Sequence, residues 1–257
     1  MFTSSSFSLR ALVVAGAALV VAVVAHAAEP AIIAKARARI GTEAAIEAVK
    51  SIHYVGTLVT ADPADPSKVS RAAIDIVFQK NDQQRIRATS DKMIETTALD
   101  GYDGWMRKQD PADSSKWQQT YLKADQIKRL RANTWETLGF FRGVGARGGR
   151  VEDQGTATID GLSCQKIAFI HAPNIVFTRY FDLATGRLVY TETEAGSTLR
   201  EQGEIIVEGV RFPKTLVTTN KLPNGQTQSV TINIEKITVN EIFPPAFFAV
   251  PTLGKTK

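Results

Sequence analysis

Apolar positions along this chain follow two rhythms. From Pro30 to Lys50, Ile32, Ile33, Ala36 and Ile40, then Ala44, Ala45, Ala48 and Val49, recur at helical spacing. Lys35, Arg37, Arg39, Glu43 and Glu47 lie off that stripe. Gly41 can end a first helical segment and Thr42 can cap a second. Such an amphipathic lead-in must lay its apolar side on something. From Ser51 the period shortens to two. Ile52 to Thr60 predicts a strand with apolar residues on both faces. In Arg71 to Lys80, Ile74, Ile76 and Phe78 alternate with Ala73, Asp75 and Val77. Gln84 to Ser90 and Met93 to Leu99 follow as strands, and Trp105-Met106 begins a short one after the turn cluster 100–104. Helical spacing returns once, over Lys123 to Phe141, with Ile127, Leu130, Trp135 and Leu138 roughly on one face.

The second half predicts a run of hairpins. Asp160-Gly161, the segment Leu183 to Gly186, Glu208-Gly209 and Pro223-Asn224-Gly225 each supply turn chemistry between alternating segments. No fixed period links them, so they are not a repeat array. About ten sequential antiparallel strands form a large twisted sheet, which must curl or close. A curved sheet with apolar residues on both faces must cover both or leave a hydrophobic cleft on one.

Ahead of these elements, Arg10 is the only charge in the first 28 residues and precedes the small, apolar run Ala11 to Ala25. Ala25-His26-Ala27 has the small-x-small pattern of a signal-peptidase site, which predicts a signal peptide over 1–27, cleaved after Ala27. A retained N-terminal anchor is the alternative. A single domain over 28–257 remains, long enough for a substantial core. The formal charge is +5 with Arg10 and one less without it. That is mildly basic, and export argues against a nucleic-acid partner. No cysteine follows the cleavage site to take a lipid. Cys164 is the only cysteine, which excludes a disulfide or a Cys-based zinc site and suggests a small buried side chain in a strand.

Catalytic motifs fail on context. Gly143 to Gly148 matches G-x-G-x-x-G, but a helix precedes it and a strand follows, the reverse of a dinucleotide site. Ser163 and Lys166 match S-x-x-K, yet in a strand they point to opposite faces. His53 and His171, the two histidines after the leader, are far apart in sequence. Carboxylates are scattered. No catalytic residue, metal ligand or cofactor is predicted. Trp105, Trp135, Phe140, Phe141, Phe177 and Tyr180 cluster in or beside the second helix and the central strands, as core or as the lining of a cleft.

Taken in order, several segments resemble one family. They begin with the helix Ala36 to Ile46 and the strand end Tyr54-Val55-Gly56-Thr57. Leu99 to Trp105, Ile159-Asp160-Gly161 and Tyr180 to Leu188 follow, then Val207 to Pro213, Ile237 to Asn240 and Phe247 to Pro251. The series resembles the outer-membrane lipoprotein-carrier (LolA/LolB-like) superfamily over nearly the whole mature chain. The resemblance implies an α+β, mainly β fold: an unclosed half-barrel of about ten to eleven strands wrapped around two or three helices. It also implies a periplasmic location, an apolar cavity for acyl chains, and lipid or lipoprotein handling in envelope trafficking. The physics fits, since a sixteen-carbon chain carries a transfer penalty on the order of 12 kcal/mol that a protein must hide in water. The residues expected to line the cavity are Ile74, Ile76, Phe78, Trp105, Trp135, Phe140 and Phe141. Arg142, Arg147 and Arg150 form a candidate anion or membrane contact. The superfamily also contains sensors and an enzyme branch. Two alternatives therefore stay open: an envelope protein-interaction or sensor domain without cargo transfer, and an enzyme using scattered carboxylates.

Overall fold

The thirteen strands pair in one unbroken antiparallel sheet whose spatial order almost repeats their order in the sequence. The computed structural model describes residues 29–80 and 82–251, so the expected leader lies outside the described residues. Two short helices come first, α1 (Ala31–Ile40) and α2 (Glu43–Ala48). Six strands follow: β1 (Ser51–Ala61), β2 (Val69–Gln79), β3 (Gln83–Thr89), β4 (Ile94–Asp100), β5 (Asp103–Gln109) and β6 (Trp117–Tyr121). Helix α3 (Ala124–Gly139) separates them from β7 (Arg150–Ile159), β8 (Leu162–Ala172), β9 (Ile175–Asp182), β10 (Leu188–Thr193), β11 (Thr198–Val207), β12 (Val210–Lys221) and β13 (Thr227–Val239).

The sheet runs β6-β5-β4-β3-β2-β1-β13-β12-β11-β10-β9-β8-β7. Consecutive strands form hairpins throughout, with two departures. The first strand pairs with the last at the centre of the sheet. The β6-to-β7 link joins the two opposite edges, and α3 is that link. The sheet stays open, as expected of an unclosed half-barrel, but has more strands than the about ten to eleven expected. The strand absent from the sequence reading is β6. Its Trp-Gln-Gln-Thr-Tyr sequence shows no apolar alternation, because an edge strand has little to bury: Trp117 and Tyr121 are both exposed.

The interruption of the lead-in helix is where the residues indicate. Ile40 ends α1, and the Thr42 hydroxyl accepts from the Ala45 N–H at 3.2 Å to cap α2. Arg37 departs from expectation. It lies off the apolar stripe in sequence, yet its side chain is only 3% exposed. Its guanidinium donates to the carbonyls of Gly139 (3.1 Å) and Phe140 (2.7 Å) at the C-terminus of α3, and to Glu43 at 2.5 Å. The last carbonyls of a helix need such donors. Helix α3 departs in a similar way. Its buried positions are Ala132, Thr134, Glu136 and Leu138, so two of the four are polar.

Around β1 to β5 both sheet faces are covered. Cross-strand register places Tyr54, Ile76 and Ile86 in one row and His53, Val77, Arg85, Ala98 and Trp105 in the adjacent row on the opposite face. The first row faces the helices. The second lies under the segment that follows β13. Phe243 packs edge-on to His53 at 5.4 Å, Arg85 stacks over Phe247 at 4.3 Å, and the Trp105 indole donates to the Phe248 carbonyl at 2.8 Å. On the concave face, one core cluster joins β1, β2, β12 and β13 to Ile46, Leu138 and Phe140. A second joins α1 and Phe141 to Ile167, Phe169, Phe177 and Phe181.

The central β1–β13 seam shifts register between Val55 and Gly56. A Cβ added at Gly56 would lie 2.0 Å from the Asn233 carbonyl oxygen, so only glycine allows the backbones to approach this closely. Gly56→Ala is expected to destabilise the protein by about 2 kcal/mol or more. Denaturant unfolding would measure this, and an unchanged midpoint would contradict the account.

Candidate functional site

Between the concave face and the helices lies a cavity of about 780 Å³. This is within the roughly 300–1,000 Å³ typical of small-molecule sites. Its sheet wall is mainly apolar, with Tyr54 from β1, Ile76 and Phe78 from β2, Phe212 and Leu216 from β12, and Ile232 and Ile234 from β13. Its helical wall comes from Ala36 and Ile40 of α1, from α3, and from Phe140 and Phe141 just beyond α3.

Those two phenylalanines take their places through backbone conformation. Both have left-handed φ, 46° and 73°. That conformation disfavours a non-glycine residue by about 1–2 kcal/mol each. It sends the rings in different directions. Phe140 meets Phe212 at 6.3 Å, and Phe141 meets Phe181 edge-on at 5.0 Å. Each ring closes one of the two core clusters around the cavity.

The cavity also holds charges. Glu136 of α3 is almost fully buried and accepts from Arg179 of β9, with His171 Nε2 at 2.5 Å. Burial alone would raise the Glu136 pKa, but Arg179 and His171 outweigh it and hold the carboxyl below its usual value. Arg179 stacks over Phe169 at 4.7 Å and Phe141 at 5.1 Å, and its Nε finds no acceptor among the described residues. Arg39, Glu204 and Arg211 also line the cavity. Glu204 binds both arginines, and Arg211 Nε donates to the Arg39 carbonyl at 3.1 Å. Glu201 of β11 faces the cavity with no hydrogen-bond or ion-pair partner among the described residues.

The structure brings together four of the residues expected to line a cavity: Ile76, Phe78, Phe140 and Phe141. Ile74 shares their face and lies buried in the adjoining core cluster. Trp105 is on the opposite face, because one step of register reverses the side chain. Trp135 lies outside the cavity on the far side of α3, where its indole binds Asp82 and Arg131 and Arg147 stack on its ring at 4.9 and 4.6 Å. The three candidate anion-contact arginines are separated. Arg142 pairs with Glu29 (2.8 Å) and Glu43 (3.0 Å), and Arg150 pairs with Glu152 (2.6 Å). Arg147 contacts Trp135 without a carboxylate partner among the described residues. Cys164 is buried in β8, where burial raises its thiol pKa. Ser163 and Lys166 lie in that same strand, and Gly143 to Gly148 forms a loop with a 3-10 turn between α3 and β7. Among the described residues, no three His, Cys, Asp or Glu side chains are grouped to hold a metal ion, and no helix is long and apolar enough to cross a membrane.

An open antiparallel half-barrel, closed over by helices with a cavity between, defines a LolA-like fold. Solved structures that share it include three with the following overlap. A LolA superfamily protein from Nitrosomonas europaea superposes with a TM-score of 0.53 at 12% identity, covering 86% of this chain and 96% of that one. A putative outer membrane lipoprotein-sorting protein domain from Vibrio parahaemolyticus gives 0.53 at 11% identity, with 84% and 95% covered. A DUF1329 family protein from Desulfovibrio piger gives 0.53 at 10% identity, with 85% and 96% covered. No protein-family profile matches the chain, and no curated protein matches it by sequence.

Removing the Glu136 carboxylate strands Arg179 and His171 in the interior. Glu136→Leu is expected to destabilise the fold by about 3–5 kcal/mol at pH 7. Because the folded pKa is depressed, this contribution is present above the unfolded carboxyl value of about 4.3 and is lost as pH falls through the folded value. The stability gap between native and variant protein should therefore narrow below about pH 4. Thermal melts at pH 7, 5 and 3 would check the direction.

Proposed function

We propose that this chain is a periplasmic binding protein for an apolar ligand, namely the acyl chains of a lipid or lipoprotein in envelope trafficking. The observation that carries the proposal is the cavity of about 780 Å³ with its wall of Tyr54, Ile76, Phe78, Phe212, Leu216 and Ile232. Apolar wall of that extent, exposed to water, favours an apolar guest that covers it. The Ala25-His26-Ala27 pattern supports export with cleavage after Ala27. Two fold neighbours, a LolA superfamily protein and a putative outer membrane lipoprotein-sorting protein domain, support this reading. In it, Ile76, Phe78, Phe140 and Phe141 contact the acyl chain, while Ile74 and the two tryptophans support the walls from behind. The chain acts by sheltering its guest, and no bond is made or broken. Arg147, stacked on Trp135 and unpaired with any described carboxylate, is the best placed of the three arginines to touch a lipid phosphate.

A second reading rests on β6. This open edge exposes Trp117 and Tyr121, and an exposed strand edge can add a strand from a partner. On this reading the protein is an interaction or sensor domain that keeps its cargo.

Native mass spectrometry of protein taken from its own envelope should reveal bound lipid, and a fluorescent fatty-acid probe should bind the purified protein. Leu216→Trp fills the cavity from its wall and is expected to weaken probe binding by about tenfold or more with the fold retained. Absence of both bound lipid and probe binding would refute the proposal. A stoichiometric envelope protein recovered without lipid would favour the second reading.

A further inference from the structure

Glu201 is the anomaly of the cavity. Every other carboxylate lining that space has a cationic partner: Glu136 has Arg179 and His171, and Glu204 has Arg39 and Arg211. Glu201 has none among the described residues, although it belongs to the same wall as Leu199, Leu216 and Ile232. The register explains its position. Glu201 pairs with Leu216 of β12, which pairs with Ile232 of β13, which pairs with Leu58 of β1. The carboxyl therefore stands at the end of an apolar row. Burial is the main influence on it and raises its pKa, while the Arg179 charge pulls the other way with less effect. In its protonated form the carboxyl offers an O–H donor.

Two further polar groups share the space. The Tyr54 hydroxyl has no hydrogen-bond partner among the described residues, and burial, then the nearby Glu201, raises its pKa. Arg179 spends its charge on Glu136 yet keeps an Nε–H without an acceptor among the described residues. Buried polar groups are normally satisfied, so the bare Nε–H of Arg179 also favours an acceptor entering this space. The Tyr54 hydroxyl and a protonated Glu201 carboxyl, beside the apolar row of Leu216 and Ile232, complement an acceptor with two lone pairs. A carbonyl oxygen on a long apolar chain has that chemistry.

Building on the binding function proposed above, we infer that Glu201, with Tyr54, forms a hydrogen-bonding station inside the cavity for the carbonyl oxygen of an acyl ester or acid. Glu201 thereby selects acylated lipids over bare hydrocarbon and fixes how far the chain enters. The apolar walls supply affinity, and this station supplies orientation.

The test uses displacement of a bound fluorescent fatty-acid probe by two guests of matched length, methyl palmitate and heptadecane. The native protein is expected to prefer the ester by about tenfold. Glu201→Leu should lose that preference and bind the hydrocarbon at least as well as before. Glu201→Gln keeps the shape and a donor, and should retain the preference, which separates hydrogen bonding from damage to the fold. Tyr54→Phe should lose part of it. An undiminished ester preference in Glu201→Leu would overturn the station, as would equal binding of both guests by the native protein, with the cavity proposal left standing. Binding of neither guest, nor of the probe, would overturn both.

Discussion

A single buried guanidinium holds the cavity's ceiling in place. Arg37 reaches from α1 to the final carbonyls of α3 and pairs with Glu43 at the start of α2, so one side chain ties all three helices together. Hydrogen bonds from charged donors are among the stronger ones, about 1.5–3 kcal/mol each. They help offset the left-handed backbone at Phe140 and Phe141, which no glycine relieves. With the end of α3 pinned, the two rings enter separate halves of the core and the space between them stays open. Glu43 is drawn below its usual pKa, first by its hydrogen bond to Arg37, and it also binds Arg142. The helical layer is thus organised electrostatically and packed hydrophobically.

Much of this architecture was legible in the sequence because antiparallel hairpins announce themselves locally. Asp160-Gly161 and Glu208-Gly209 adopt positive φ at both residues, the conformation their composition favours. Alternation placed Ile74, Ile76 and Phe78 on one face, and the register agrees. What failed were features decided by distant partners. Nothing local in Trp117 to Tyr121 marks a strand, since its only sheet neighbour is β5. Arg37 reads as a solvated helix position until α3 is brought to it. Trp105 looked like a cavity residue because aromatics are core by default, and only the pairing with Ala98 reveals which face it takes.

The candidate site was half legible for a related reason. Apolar lining follows from alternation, so Ile76 and Phe78 were accessible. The polar members were hidden by their neighbours. In Leu199-Arg200-Glu201-Gln202, charge falls on both faces, and no pattern distinguishes the inward carboxyl from the outward guanidinium. Arg179 did carry a signal. It stands between Phe177 and Phe181 at a spacing of two, so a cation occupies an apolar face, which requires an internal partner. That partner, Glu136, lies on a helix far away in sequence, and its identity needed the fold.

The seam between the first and last strands has a consequence for how the molecule matures. Hairpins on either side can zip as soon as they emerge, but β1 must wait for β13, some 180 residues downstream. A chain threaded from its N-terminus into the compartment where it folds presents its strands in order, so two half-sheets can exist before their common spine does. Until the final strand arrives, the inner walls of both halves face water. Completion of the polypeptide is therefore also the moment at which its hollow first acquires a back.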